Sequence, residues 1–449
     1  MSETFEVSVS VSLTVRGRFS NVKHLEEAVQ QQARDAVRQL YAQAFVAYQQ
    51  QWLAAHRDRY EPVRWRRRQL LTPCGQIELP VRVIRERGRQ HGGYHSLGQM
   101  LWRGKATRLL SPQLEREAIE AATGQNYRPA AQQLSQRCGA SLSHWAVWQC
   151  VQYYGQKLQQ QLQRDWWPEP PRKYAAEVVV TEVDSTWLKW QHWGGAKAGP
   201  QHFLMHLGLH YTGRTRRFER RGRTDVSLDQ KTWIVSTASL TEFGTRLRRH
   251  RDRHYPARPG ARSLTVLLSD GDEGLKWVRE REFPEALWLL DRWHIGQKVR
   301  EFVGGDQAAW RSILQAVYAH DSEAVLEALR SLEPAADDAR RQSFDELFGY
   351  LLGNREGIDA LGQIPKRYRQ RHGRFGPVVR AGSGAVEKNV EVQINRRFKR
   401  QGRGWNPMRA DRLAQLRWLQ QHRRNWNHWW DKTCLTTTKI NPGWPSTDN

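Results

Sequence analysis

Three separated acidic residues carry the chemistry to expect of this chain. Asp184 closes the apolar run Ala175-Ala-Glu-Val-Val-Val-Thr-Glu-Val-Asp184. Asp270 closes a second run, Leu264-Thr-Val-Leu-Leu-Ser-Asp270, and is followed by Gly271. Glu387 comes much later, in Gly382-Ser-Gly-Ala-Val-Glu387, opening a basic helical segment. Carboxylates at the ends of neighbouring strands sit on rigid supports, so their spacing holds within the tolerance a metal demands. Two such aspartates and a distant helical glutamate can converge on two divalent ions ~3.5–4 Å apart, an arrangement suited to phosphoryl transfer on nucleic acid. Mg²⁺ prefers carboxylate oxygen and keeps several waters, and Mn²⁺ accepts the same donors. Each acid has a rival. Glu182 lies two positions before Asp184 and faces the same way along a strand. Asp272 competes with Asp270, or else caps the next helix. Glu391 is one helical turn after Glu387 and shares its face.

The net charge points to the partner. The 449 residues carry 71 Lys+Arg against 46 Asp+Glu, a balance of +25. That excess implies a polyanion, and double-stranded DNA is the expected one. A membrane is not expected, because no apolar stretch is long enough to span a bilayer. The opening residues Met1-Ser-Glu-Thr-Phe5 lack a signal peptide's basic region and apolar core. Cys74, Cys138, Cys150 and Cys434 contain no C-x-x-C pair. They argue against a disulfide framework or a cysteine-rich zinc site, and fit a reducing cytosol.

The elements that must position the acids can be read from periodicity. Residues 3–16 alternate apolar and polar side chains and predict a strand. Residues 22–56 predict a long helix, packed on its own domain or against a second copy. Residues 60–86 predict a β-ribbon turning at Pro73-Cys-Gly75. Its arginines face phosphate or simply solvent. Residues 111–162 predict a helical block with a helix-turn-helix outline, in which Gly139-Ala-Ser-Leu-Ser143 separates two helices. Ser143, His144 and Gln149 are then candidate DNA contacts, although plain αα-hairpins share the outline. Trp166-Trp-Pro-Glu-Pro-Pro171 reads as a linker. Beyond it, strands are expected at 175–184, 186–193, 201–211, 263–269 and 286–291, with helices at 228–251 and 272–282. From about 295 to 370 the pattern is helical. The order β-β-β-α-β-α-β followed by helices is that of a ribonuclease H-like α/β fold, interrupted by an all-helical insertion before the last acid.

The run Ser269-Asp-Gly-Asp-Glu-Gly-Leu-Lys-Trp-Val-Arg-Glu-Arg-Glu-Phe-Pro284, then Leu289-Leu-Asp-Arg-Trp-His294, resembles bacterial insertion-sequence transposases of the DDE class. It is most similar to the ISLre and ISKra groups. It is more distantly similar to the Mutator-like group, where a Cys-x-x-His stands in place of Asp291-Arg-Trp-His294. The block from Gly382-Ser-Gly-Ala-Val-Glu387 to Gly404-Trp405 resembles the same families' third signature. The resemblance covers roughly 175–425 and is loose before that. It implies Mg²⁺-dependent cleavage at element ends and strand transfer by Asp184, Asp270 and Glu387. It implies terminal inverted repeats and target DNA as partners, a homodimer or higher oligomer on DNA, and a bacterial, nucleoid-associated protein. The families carry Asp-Gly at the first acid, whereas here Ser185 follows Asp184. Asp291 and His294 either shape the site or form a structural pair.

Lys388, Arg396, Arg397, Lys399, Arg400 and Arg403 come soon after Glu387 and are candidate phosphate contacts, with a solvated helix face as the plain alternative. Trp405, Trp418, Trp426, Trp429 and Trp430 are expected in the core rather than stacked on bases. The expected divisions are an N-terminal strand, helix and ribbon (1–100), a helix-turn-helix region and linker (101–170), the catalytic core (171–300), the helical insertion (301–375), the glutamate helix with basic C-terminal helices (376–432), and a tail (433–449). Two other functions compete: a ribonuclease H-like nuclease or resolvase, and a DNA-binding regulator without catalysis.

Overall fold

The computed structural model describes residues 6–16, 18–88, 93–98, 110–164, 173–174, 176, 177–191, 201–220, 223–256, 263–336, 338–370, 378–380, 382, 384–401 and 404–435. The chain is mixed α/β and divides into two compact units, residues 1–169 with 419–449, and residues 170–418. The expected linker at 166–171 and most of the expected tail lie outside the described residues.

In the first unit, helix α1 (Val22–Ala55) starts where the Asn21 side chain accepts the His24 N–H. Its second half lies on an antiparallel sheet of β1 (Tyr60–Thr72), β2 (Gly75–Glu86) and β3 (Tyr94–Ser96), in that order. Ala42 and Phe45 pack against Leu70, Ile77, Leu79 and Val81. Buried Gln49 fastens helix to strand: its amide donates to the Pro80 carbonyl (2.9 Å) and its oxygen accepts the Arg82 N–H (2.8 Å). Helices α2 (Pro112–Gly124), α3 (Tyr127–Cys138) and α4 (His144–Gln163) come next. Leu114, Ile119, Leu134, Val147, Val151 and Leu158 are buried among them. Trp426, Trp429 and Trp430 are also buried, and the indoles of Trp426 and Trp429 donate to Glu120 and Gln161. The strand expected at 3–16 is not formed over 6–16. Exposure does alternate there, but these residues enter no backbone ladder with described residues. Alternation sets a chain's two faces; only a partner edge makes it a strand.

The second unit is built on a five-stranded sheet, β4 (Val178–Lys189), β5 (His202–Tyr211), β8 (Thr232–Ser236), β9 (Leu264–Ser269) and β10 (Leu287–Leu290), in the order β10-β9-β4-β5-β8. β4, β5 and β8 pair antiparallel, while β4, β9 and β10 pair parallel. A ribbon of β6 (Gly213–Arg220) and β7 (Arg223–Asp229) stands apart as a two-stranded sheet. Two expectations are corrected here. The strands expected at 175–184 and 186–193 are one strand, so Asp184 lies inside β4 rather than at its end. The helix expected at 228–251 begins only at Leu240, as α5 (Leu240–His254), capped by Ser239. The β-branched run Thr232-Trp-Ile-Val-Ser236 before it pairs with β5 instead.

Helix α5 covers one face of the sheet. Gly208 of β5 permits its approach, since an added Cβ would overlap Leu247 Cδ1. Helix α6 (Glu273–Glu282) lies between β9 and β10 in sequence, and its Val278 meets α5 at Gly244. The expected helical stretch is α7 (Arg292–Val303), α8 (Gln307–Ala319), α9 (Ser322–Arg330), α10 (Arg341–Gly353), α11 (Arg355–Gln363) and α12 (Lys366–Arg369). Then come α13 (Gly384–Val390), a π-helical turn (Glu391–Asn395), α14 (Arg396–Phe398), α15 (Pro407–Gln421) and α16 (Arg423–Leu435). No helix among the described residues is long and apolar enough to cross a membrane.

Gly208→Val overfills the β5–α5 contact. It is expected to lower unfolding stability by about 1–3 kcal/mol, read as a lower midpoint in chemical denaturation. An unchanged midpoint would refute the close-approach role of Gly208.

Candidate active site

Sheet register brings the acids together. The last parallel pair of β4 and β9 is Glu182 with Leu268. Two residues further on each strand come Asp184 and Asp270. On the other side of β9, Ser269 pairs with Leu290, and the next residues are Asp270 and Asp291. The Asp291 N–H donates to the Ser269 carbonyl at 2.9 Å. Asp184, Asp270 and Asp291 therefore form one row where parallel pairing ends. Crevices for ligands form at such carboxyl ends of parallel strands.

The loop after Asp270 is tightly held. Gly271 has φ +80, and an added Cβ would fall 2.6 Å from Leu290 Cδ1 and 2.9 Å from Asn354 Oδ1. Only glycine meets both demands. The Tyr350 hydroxyl, from α10, donates to the Asp270 carbonyl at 2.6 Å. Asp272 accepts the Gly274 N–H at 2.8 Å and caps α6. The structure thus separates the two neighbouring acids, Asp270 in the row and Asp272 at a helix start.

Glu387 arrives on α13. One donor atom each from Asp291, His294 and Glu387 lies within 4.8 Å of the others. Burial pushes the Asp184 carboxyl up to about 6. The Ser185 N–H at 2.7 Å opposes this, while the charges of Asp270 and Glu387 add to it. Burial disfavours a charged His294 ring, but the hydrogen bond from Nδ1 to Asp291 (2.8 Å) and the charges of Asp291, Asp270 and Asp184 outweigh it. His294 is therefore held above its ordinary pKa. Asp291 is buried; its other oxygen accepts the Trp293 N–H at 2.9 Å. Exposed Trp293 lies edge-on to His294, ring centroids 4.9 Å apart.

Glu182 is not in the row. It is fully buried, and burial pushes its carboxyl up to about 7 against the pull of Tyr211, Arg214 and the Val386 N–H. Ser185 and His206, joined at 2.7 Å, lie on the opposite face of β4, where burial pushes His206 down to about 4.

The structure sorts the basic residues. Lys388, Arg396, Lys399 and Arg400 are exposed. Arg396 and Arg400 pair with Glu391 at 3.5 and 2.6 Å, which commits Glu391 to arginine. Arg397 is 1% exposed, with its guanidinium 5.0 Å from the Trp405 ring centre. It packs inside and presents no surface to phosphate, which corrects its place among the candidate contacts. Arg403 lies outside the described residues. Trp405 and Trp418 are buried, as expected of core residues. In the first unit Gly139 ends α3 at φ 65, and Ser143 Oγ is spent capping α4 by accepting the Ala146 N–H. His144 is exposed and Gln149 half-buried. Sequence reasoning missed Tyr350, whose contact with the Asp270 loop spans 80 residues and leaves no local pattern.

The model of the uncharacterised protein family UPF0236 matches residues 17–428. No curated protein matches the chain. Among solved structures, the chain is similar to a Drosophila P element transposase strand transfer complex at 9% identity, covering 68% of this chain and 91% of that one with a TM-score of 0.34.

The raised carboxyls predict a pH effect. Asp184 has its ordinary value at 3.8 and its folded value at about 6, so its charged form opposes folding. Its contribution is complete below pH 3.8 and is lost as pH rises through about 6. In chelator, Asp184→Asn is expected to match the wild type near pH 4 and to exceed it in denaturant midpoint above pH 6. A variant less stable than wild type at pH 7.5 would contradict this.

Proposed function

We propose that this chain, which belongs to the uncharacterised protein family UPF0236, is a DDE-type DNA transposase. The row of Asp184, Asp270 and Asp291, with Glu387 brought beside it from 203 residues after Asp184, carries the reading. The order β10-β9-β4-β5-β8, antiparallel on one side and parallel on the other, supports a ribonuclease H-like core. The balance of +25 supports a DNA partner.

The donors suit Mg²⁺. Asp184, Asp270 and Glu387 offer hard carboxylate oxygens, and the charges of Asp270 and Glu387, which add to burial in raising Asp184, are the kind a divalent cation relieves. In this reading those three residues would hold two Mg²⁺ ions, which would supply charge stabilisation for an in-line displacement at phosphorus. Asp291 accepts from His294 Nδ1 and so fixes the ring's orientation. Water first displaces one oxygen of the phosphodiester at each element end, freeing a 3′-hydroxyl. That hydroxyl then displaces an oxygen in target DNA, so one phosphorus–oxygen bond forms for each one broken.

The exposed Lys388, Arg396, Lys399 and Arg400 lie just beyond Glu387 and would hold the phosphates of the scissile strand. The α3–α4 pair would bind terminal repeats as a helix-turn-helix, with His144 as the exposed candidate contact. Bringing two ends together requires a homodimer or larger assembly, acting on nucleoid DNA in the bacterial cytoplasm.

The test is a cleavage and joining assay with purified protein and labelled DNA carrying the repeats that flank the gene. Wild type is expected to cleave and join in Mg²⁺. Asp184→Asn, Asp270→Asn and Glu387→Gln are each expected to fall by about 10³-fold, the scale of several kcal/mol of lost charge stabilisation. Activity unchanged in the aspartate variants would sink the reading. Cleavage without joining would favour a nuclease, and salt-sensitive binding without cleavage a regulator.

A further inference from the structure

We propose that Glu182 is a positioning residue that sets Glu387 against Asp184, acting as a remote cap on the helix that carries Glu387. This role rests on the proposed metal site. Glu182 and Asp184 are two residues apart on β4, so both point to the same face. Glu182 Oε2 accepts the Val386 N–H at 2.8 Å, and Val386 immediately precedes Glu387. The spacing from Glu182 to Asp184 along the strand is thereby coupled to the step from Val386 to Glu387 along the helix.

The bond has a physical reason to form. The first N–H groups of a helix have no acceptor within it. Val386 is the third residue of α13, and a carboxylate also favours the positive end of a helix. The other oxygen, Oε1, accepts the Tyr211 hydroxyl at 2.5 Å and Arg214 Nη2 at 3.2 Å. Arg214 in turn donates to the Tyr211 hydroxyl at 2.7 Å. Glu182 is thus held from β5 and β6 while it holds α13. Both its oxygens are committed, so it is a fastener and not a metal ligand in place of Asp184.

A second tie on the same face agrees. Thr186, two residues after Asp184, donates to Asn395 Oδ1 at 3.4 Å. β4 therefore grips the glutamate segment on both sides of Asp184. Removing the carboxylate alone would leave the largely buried Arg214 guanidinium without its anion and the Val386 N–H without its acceptor, which costs stability.

The experiment is Mn²⁺ titration of the full-length protein without DNA, monitored by electron paramagnetic resonance. It compares wild type, Glu182→Met, Glu182→Gln, Glu387→Gln, Asp184→Asn and the double variant Glu182→Met/Glu387→Gln, with a thermal midpoint for each. Glu182→Met is expected to weaken Mn²⁺ binding about 10-fold or more and to lower the thermal midpoint, because Arg214 and the Val386 N–H lose their acceptor. Glu182→Gln keeps one acceptor and is expected to fall between the two. The double variant is expected to bind no more weakly than Glu387→Gln alone, because Glu182 acts through Glu387. Mn²⁺ affinity within about twofold of wild type in both Glu182 variants, alongside a large loss in Asp184→Asn, would overturn the inference and leave the metal site standing. Fully additive losses would also overturn it. Unchanged binding in Asp184→Asn and Glu387→Gln would overturn the metal site and the inference together.

Discussion

The register of β4, β9 and β10 is the constraint on which the rest depends. A strand presents successive side chains to opposite faces, so a one-residue slip would turn Asp270 away from Asp184. The pairings of Glu182 with Leu268 and of Ser269 with Leu290 align three aspartates in one row. Val178–Val180, Val266–Leu268 and Leu289–Leu290 are all buried. Parallel strands covered on both faces resist such slips, because every alternative register exposes part of a continuous apolar run. The Trp288 indole adds a side-chain lock, donating to Ser269 Oγ at 2.9 Å.

The third acid poses a different problem. Local pairing cannot place a residue that lies so far along the chain, and closing a long loop is opposed by chain entropy. The structure answers with contacts distributed along β4. Glu182 holds Val386, Thr186 meets Asn395, and the backbone of Lys189 and Gln191 bonds with that of Trp405 at 2.8 and 2.9 Å. Distributed contacts fix both the position and the rotation of the segment. That matters because a glutamate on a helix moves several ångströms if the helix turns by one residue.

The sequence shows the core strands better than it shows the contacts between distant segments. The apolar runs before Asp184 and Asp270 are legible because parallel, doubly buried strands need contiguous apolar sequence. The misreadings have local causes. The Asp184-Ser185 step looks like a strand end, yet β4 continues to Lys189 because β5 pairs with it from Val180 to Lys189. Residues 228–251 mix strand and helix signals, and short apolar runs do not separate the two by periodicity. Val7, Val9 and Val11 alternate as a strand should, but a ladder depends on a partner that local sequence does not reveal. The links from Glu182 to Val386 and from Tyr350 to the Asp270 loop join residues far apart in sequence, so no spacing rule announces them.

A count of basic residues also says little about which ones reach the surface, and the turn after Glu387 shows why. Residues 391–395 are wound as a π-helix, wider than the α-helix before it. Glu391 pairs with Arg396, five residues on, and with Arg400 beyond it. The extra width rotates the next residues, so that Arg397 and Phe398 turn inward while Arg396, Lys399 and Arg400 stay outside. Arg417 from α15 donates to the carbonyls of Val392 and Gln393 at 3.0 and 3.1 Å, bracing the widened turn. Two of the arginines in this region therefore serve the fold: one packs on Trp405 and one holds backbone. Which cations of this segment reach the surface is thus tied to the irregular turn, on the same segment that carries Glu387.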